Sequence, residues 1–301
     1  MPCGIRPSNV RVCHFTTRAK WARERAGRKF AQECRKATIE ATAASCTFWL
    51  RQVPEVKSRA MSDNWIKLDL HIHTLDDPKD KIDYTAHELL ERAKALGFAV
   101  LAITLHDSVF DREEVFADAK RMGILLIPAA EMRVEGADII LLNVSGAETA
   151  KLKSFADVRE LRRQRGATIF TIAPHPFYVL GGSIGKKIFE VIDCFDGIEL
   201  CHFHKGIFNP NWPAIRLAKR TGKPLIATSD AHRLHDFGRH FTSMRSPTEI
   251  TVQNIFQGLR DGPLKLSSPP ATFADIVSAV YFIYIAHPSR THDHGTAAHN
   301  S

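Results

Sequence analysis

The chain has 301 residues, 44% of them hydrophobic and 25% charged, an ordinary balance for a globular protein with a sizeable core. No apolar run reaches the ~18 residues of a membrane-spanning helix, and the longest stretch, 276–286, is interrupted by Ser278 and two tyrosines. The net charge of +8 is confined to one end: residues 1–60 hold 13 of the 41 basic and 4 of the 33 acidic residues, and 61–301 come to −1.

Residues 1–60 also hold four of the six cysteines, Cys3, Cys13, Cys34 and Cys46. Only Cys194 and Cys201 fall in the remainder, which is therefore no disulfide framework and is expected to be cytoplasmic. The first sixty residues are Arg-rich and acid-poor, without the apolar core of a signal peptide. They read as a basic, disordered extension. A true start at Met61 explains it first, a transit segment second and a nucleic-acid-binding arm third.

From Met61 onward a rhythm of strands and helices is predicted. Residues 66–72 alternate as a strand, and Thr85-Ala-His-Glu88 is a capping-box pattern opening a helix that stops at Gly97. Strand 98–104, helix 112–122 and strand 124–130 follow, then a hairpin over 132–143 turning at Glu135-Gly136. Next come helix 151–165, strand 167–173, a Gly-rich loop 181–185, helix 186–192 and strand 197–201. Helix 212–220, strand 224–228 and helix 248–260 close the series. This alternation predicts an α/β protein with a parallel sheet, either open and doubly wound or closed as a β/α barrel. The tail 286–301, with His287, His292, His294 and His299, lacks periodicity and is expected to be disordered, leaving 61–285 as the folded domain.

Histidines and carboxylates gather where these strands end. His71-Ile-His73 puts two imidazoles at i and i+2, on one face of a strand and about 6.6 Å apart in rise, a spacing that lets both bind one cation. Thr228-Ser-Asp230-Ala-His232 repeats the arrangement with a carboxylate and an imidazole. Between them His106-Asp107, Glu131 and His175-Pro176 each end an apolar run. In a parallel β/α architecture the C-terminal strand ends share one rim, so sequence-distant elements deliver their ligands to one place. Gly181-Gly-Ser-Ile-Gly185 reads as a plain loop in preference to a phosphate cradle, because the P-loop lysine is missing. His202, His204 and Lys205 follow a strand and are candidate substrate contacts.

His71-Ile-His73-Thr, Ile103-Thr-Leu-His106-Asp107, Glu131, Ala173-Pro-His175-Pro176 and Ser229-Asp230-Ala-His232 resemble, in order and spacing, the motifs of the polymerase and histidinol phosphatase (PHP) metallophosphoesterases, small stand-alone type. The resemblance covers about residues 65–260. It implies a distorted seven-stranded, TIM-like β/α barrel holding two or three divalent ions (Mn²⁺, Zn²⁺, Fe²⁺ or Mg²⁺). Carried over, it assigns His71, His73 and Asp230 to the first ion, with Glu131 bridging to the second. His175 and the residue opening the strand after the hairpin turn complete the second, and His106, His232 and Asp80, or else Asp77, the third. His106, Asp230 and His232 are the candidate catalytic residues. Two departures stand out: Leu105 replaces the family's usual Asp in Thr-Asp-His, and Asp138 stands where a His is usual, an exchange that favours Mn²⁺ or Mg²⁺ over Zn²⁺ there.

Such a cluster activates water for attack on phosphorus and neutralises the phosphoryl oxygens. The expected activity is hydrolysis of a phosphomonoester or small phosphodiester by a metal-activated hydroxide. The expected partner is a small phosphorylated molecule; nucleic acid enters only as a small nucleotide or oligonucleotide substrate, and no membrane is expected. An amidohydrolase-like reaction on the same rim and a non-catalytic metal-binding regulatory module are the rival readings.

Overall fold

A computed structural model describes residues 64–178, 182–204 and 209–272, together with 275 and 277. The expectations for 1–60, for the tail 286–301, for Gly181 and for Lys205 lie outside these residues. The described residues belong to the unit Met61–Ser301. Among them no helix is long and apolar enough to cross a membrane.

Among the described residues nine strands form one sheet. The chain runs β1 (Trp65–Ile72), α1 (Ala86–Leu96), β2 (Phe98–His106), α2 (Glu113–Arg121), β3 (Leu125–Val134) and β4 (Ala137–Leu142), followed by the single turn α3 (Gly146–Thr149) and α4 (Phe155–Arg165). It continues through β5 (Phe170–Ala173), β6 (Gly197–Leu200), α5 (Asn211–Thr221), β7 (Leu225–Ala227), β8 (Phe241–Arg245), α6 (Val252–Asp261) and β9 (Leu264–Ser267). The order across the sheet is β7-β6-β5-β4-β3-β2-β1-β8-β9. Parallel pairs join β1 to β2, β2 to β3, β5 to β6 and β6 to β7, while β4 and the β8–β9 hairpin run antiparallel to their neighbours.

The sheet curls into a nearly closed barrel. At one end the Thr242 hydroxyl of β8 donates to the Ala227 carbonyl of β7 and accepts from its N–H, both at 2.9 Å. At the other, the segment after β7 bonds directly to β1: Asp230 N–H reaches the His71 carbonyl (2.9 Å) and His73 N–H the Ala231 carbonyl (3.2 Å). This second seam carries the chemistry, because it lays Asp230 and His232 beside His71 and His73.

The capping box at Thr85 and Glu88 forms as read, and Gly97 ends α1 in the left-handed region that a residue without Cβ enters freely. The hairpin turns at Glu135 and Gly136, both at positive φ. Three expectations are corrected. The sheet has nine strands rather than seven, because 241–245 and 264–267 pair as an extra hairpin too short for its alternation to stand out. Helix 186–192 is instead two 3₁₀ turns, Gly185–Phe189 and Ile192–Cys194, since no side chain caps the start at Ile184 and Gly185 itself sits at φ 58°. Helix α4 starts at Phe155, where the Ser154 hydroxyl and Asp157 carboxylate cap each other's N–H groups.

Leu68, Leu70, Val100, Ala102, Ile127, Ala129, Ile140, Phe170, Ile172 and Ile226 fill the barrel interior, and Ile255, Phe256 and Leu259 of α6 pack onto them. Two further apolar layers lie between sheet and helices, one under α1 and α2, the other under α4 and α5. This clamps the strands from both faces, so their C-terminal ends form a rigid frame for polar side chains.

Candidate metal centre

His71 and His73 are fully buried and both aim Nε2 at the same point. The two Nε2 atoms are 3.2 Å apart. Glu131 Oε2 lies 3.3 Å from the first and 3.4 Å from the second, and Asp230 Oδ1 is 3.4 Å from each. Donors about 2.0–2.1 Å from a tetrahedral ion stand roughly 3.3–3.4 Å from one another, so the two imidazoles have ligand-shell spacing with Glu131 and, separately, with Asp230. Asp230 Oδ1 is buried and accepts no well-directed hydrogen bond, which leaves its lone pairs for a cation.

Both rings are fixed through their other nitrogen. His71 Nδ1 is 2.9 Å from Glu199 Oε1, and His73 Nδ1 is 2.9 Å from Asp77 Oδ2. With Nδ1–H donating to a carboxylate, each ring offers its Nε2 lone pair inward. Asp77 is itself fully engaged: Oδ1 accepts from the N–H of Lys79 and of Asp80, and Oδ2 also from the N–H and Nδ1 of His106.

The remaining strand-end residues surround this pair. The rings of His106 and His232 stack on His73 at centroid distances of 4.5 and 4.4 Å. His106 Nε2 lies 3.3 Å from Glu131 Oε2. Asp80 Oδ2 is 2.8 Å from His232 Nε2 and 3.7 Å from His106 Nδ1. His175 Nε2 is 3.6 Å from Glu131 Oε1. Among the described residues several overlapping sets bring donor atoms within 4.8 Å of each other, including His71–His73–Glu131, His73–Asp230–His232 and Glu131–Asp138–His175, and any of these could hold a divalent ion. Three backbone positions at the rim, Asp107, His175 and Asp230, take positive φ, a strained region for non-glycine residues that packing must enforce.

The electrostatics of the cluster point the same way. Burial disfavours the imidazolium forms, yet Asp230, Glu199 and Glu131 outweigh it and raise His71 well above its usual value. His73 and His175 rise to about 9 against the same burial, the first through Asp230 and Asp77, the second through Glu131, Glu199 and Asp230. Burial likewise works against the Glu131 and Asp230 carboxylates, but the imidazoles beside them hold both well below the usual range. Protons on the imidazoles thus supply positive charge that a divalent ion would supply in their place.

Asp138 is placed differently from the others. Its Oδ1 lies 2.5 Å from Nε of Arg133, and burial together with the Glu131 charge raises it to about 7 despite that partner. A Cβ on Gly182 would stand 1.7 Å from Asp138 Oδ2, so only glycine lets the 182–185 loop close over this carboxylate. The loop spends its polar groups on the protein itself: the Gly182 carbonyl accepts from Asp138 N–H, and the Ser183 hydroxyl donates to the His175 carbonyl.

Of the proposed substrate contacts, His202 borders the cluster, with Nδ1 3.9 Å from Asp230 Oδ2 and its ring against Phe203. His204 turns instead to Ser268, placing Nε2 3.0 Å from its carbonyl. Two buried carboxylates escaped the sequence reading. Glu199, on β6, binds His71. Asp69, on β1, accepts from Ser229 N–H at 3.1 Å, and burial raises it to about 7. Both could have been found from a carboxylate set inside an otherwise apolar strand, in Leu68-Asp-Leu and Gly197-Ile-Glu-Leu.

A family model described as PHP-associated matches residues 208–264. An uncharacterized protein of Methanocaldococcus jannaschii is 29% identical over 154 residues, which cover 48% of this chain and 87% of that protein. A two-domain protein from Bacteroides vulgatus, described as containing a predicted PHP-like metal-dependent phosphoesterase, superposes with a TM-score of 0.53 at 19% identity, over 68% of this chain and 65% of its own. This chain thus spans just under two thirds of that protein's length. PsfC from Pseudomonas syringae gives 0.52 at 17%, over 73% of this chain and 98% of its own. At such identities the solved structures share the fold. The protein is an α/β barrel of PHP type, and its likeness to the PHP family, read from the motifs, extends to the fold and the PHP-associated segment.

Proposed function

We propose that this chain is a metal-dependent phosphoesterase that hydrolyses a phosphomonoester or a small phosphodiester in the cytoplasm, its chemistry carried by the domain 61–285. The observation that supports this reading is that His71 Nε2 and His73 Nε2 stand together at ligand-shell spacing from Glu131 Oε2 and, each again, from Asp230 Oδ1. His71, His73 and Asp230 would hold the first ion, Glu131 would bridge to a second held by His175 and Asp138, and His106, His232 and Asp80 would take a third. Divalent ions held there would lower the pKa of water and neutralise phosphoryl oxygens. The chain's own part is to hold the frame dry and rigid. His106, Asp230 and His232, which lie in the cluster, would move the proton between water and leaving group, and His202, which borders the cluster, would contact the substrate. The partner is a small phosphorylated molecule.

The test is a phosphatase screen of the full chain over nucleotides, sugar phosphates and histidinol phosphate, with Mn²⁺, Zn²⁺, Fe²⁺ and Mg²⁺ supplied separately. Metal-dependent release of inorganic phosphate from one class supports the reading. Turnover of amide or lactone substrates with none of phosphate esters would replace it with amidohydrolase chemistry. The second position has its own expectation. Asp138→His exchanges a hard oxygen for an imidazole and should move the metal preference toward Zn²⁺, read as the ratio of Zn²⁺- to Mn²⁺-supported rates. An unchanged ratio would show that Asp138 serves Arg133 and not an ion.

A further inference from the structure

Glu199 is 1% exposed and takes three donors from three separate parts of the barrel. His71 Nδ1 of β1 reaches Oε1 at 2.9 Å, and the Thr228 hydroxyl, just after β7, donates to the same oxygen. The backbone N–H of His175, just after β5, donates to Oε2 at 2.6 Å. His175 is one of the strained positions, at φ 27°, so this bond holds a backbone that would otherwise relax.

We propose that Glu199 is a positioning residue that sets the orientation of His71 and, through the His175 backbone, couples the first metal position to the second. This rests on the metal reading above. The chemistry of the three donors makes the assignment specific. A carboxylate offers acceptors on both oxygens and no donor. A glutamine of the same shape offers one oxygen and one NH₂, so either His71 and Thr228 or the His175 N–H must face a donor. Losing the bond to Nδ1 frees the His71 ring to rotate or to change which nitrogen carries the proton, and Nε2 no longer points steadily at Glu131 and Asp230. Losing the bond to the His175 N–H releases the strained turn that presents His175 to Glu131. One side chain therefore governs ligands of both positions without contacting an ion.

The experiment titrates Zn²⁺ into metal-free full-length protein against a chromophoric chelator, for wild type and Glu199→Gln. The His71 Nδ1–H resonance is followed in ¹⁵N-labelled, zinc-loaded samples. Glu199→Gln should weaken Zn²⁺ binding by roughly 10–100-fold. It should also shift or broaden the Nδ1–H resonance, while the circular dichroism of the metal-free protein stays that of wild type. Equal affinity with an unmoved resonance overturns the proposal and leaves the metal reading standing. Wild-type protein that takes up no Zn²⁺ overturns both. If Glu199→Gln does not fold, Thr228→Val removes one donor without touching any ligand. A several-fold rise in its Zn²⁺ dissociation constant supports the proposal, and an unchanged constant overturns it.

Discussion

Asp230→Ala and His71→Ala are each expected to lower the divalent-metal content of freshly purified protein by at least one ion per chain and to reduce phosphate-ester hydrolysis by at least ~10²–10³-fold, the range seen when a single charge-stabilising group is removed from an active site. Wild-type protein should carry two or more ions, measured by elemental analysis. For Asp230 the size of the effect follows from how little else its Oδ1 does. Asp230 Oδ1 makes no hydrogen bond that its loss would break, and its carboxylate faces His71, His73 and His232 at 3.4–3.6 Å. The barrel seam survives, because it is made by the backbone N–H of Asp230 and not by its side chain. Unchanged circular dichroism with lost metal is therefore the expected pairing. Full activity in metal-free wild-type protein would remove the basis of the mechanism.

The parts of the site visible in the sequence were those whose chemistry contradicts their surroundings. Imidazoles and carboxylates at the ends of apolar strands have no reason in packing, so His71, His73, Glu131, His175 and Asp230 stood out, and the structure brings them together. Their gathering could be anticipated because the βα rhythm implied one rim. Strand closure could not. How the sheet closes depends on the Thr242–Ala227 bonds and on the His71–Asp230 seam, contacts between residues some 15 and 160 positions apart that no local pattern encodes. The β8–β9 hairpin escaped for a related reason: five- and four-residue strands show too little alternation to separate from loop. Asp77 and Asp80, three residues apart, are both candidates in the sequence, with Asp80 preferred. Only the turn at 77–80 separates them, spending Asp77 on two backbone N–H groups and on His73 and His106, and leaving Asp80 facing His232.

Removing the metal should make stability fall as pH rises, in a window set by the histidines. In the metal-free fold His73 and His175 are raised from 6.5 to about 9, and His71 is raised as well. The folded state then holds protons that the unfolded chain has already released. Stability from these groups is fully present below about pH 6.5 and is lost as pH climbs through about 9. Other shifted groups act elsewhere. Asp69 and Asp138, raised from 3.8 to about 7, lose their contribution mainly below this window, and the depressed His240, at about 3, acts between its own value and 6.5. Chelator-treated protein is therefore expected to melt roughly 5–10 °C lower at pH 9 than at pH 6.5, taking a few kcal/mol at about 2–4 °C each for a domain of this size. Metal-loaded protein should show a much smaller change, because the ion replaces the protons. The same exchange predicts that adding Zn²⁺ near neutral pH releases protons, seen as a dependence of the binding enthalpy on the ionisation heat of the buffer. A melting temperature that is flat across this window without metal, or metal uptake without proton release, would mean that protons are not standing in for an ion among His71, His73 and His175.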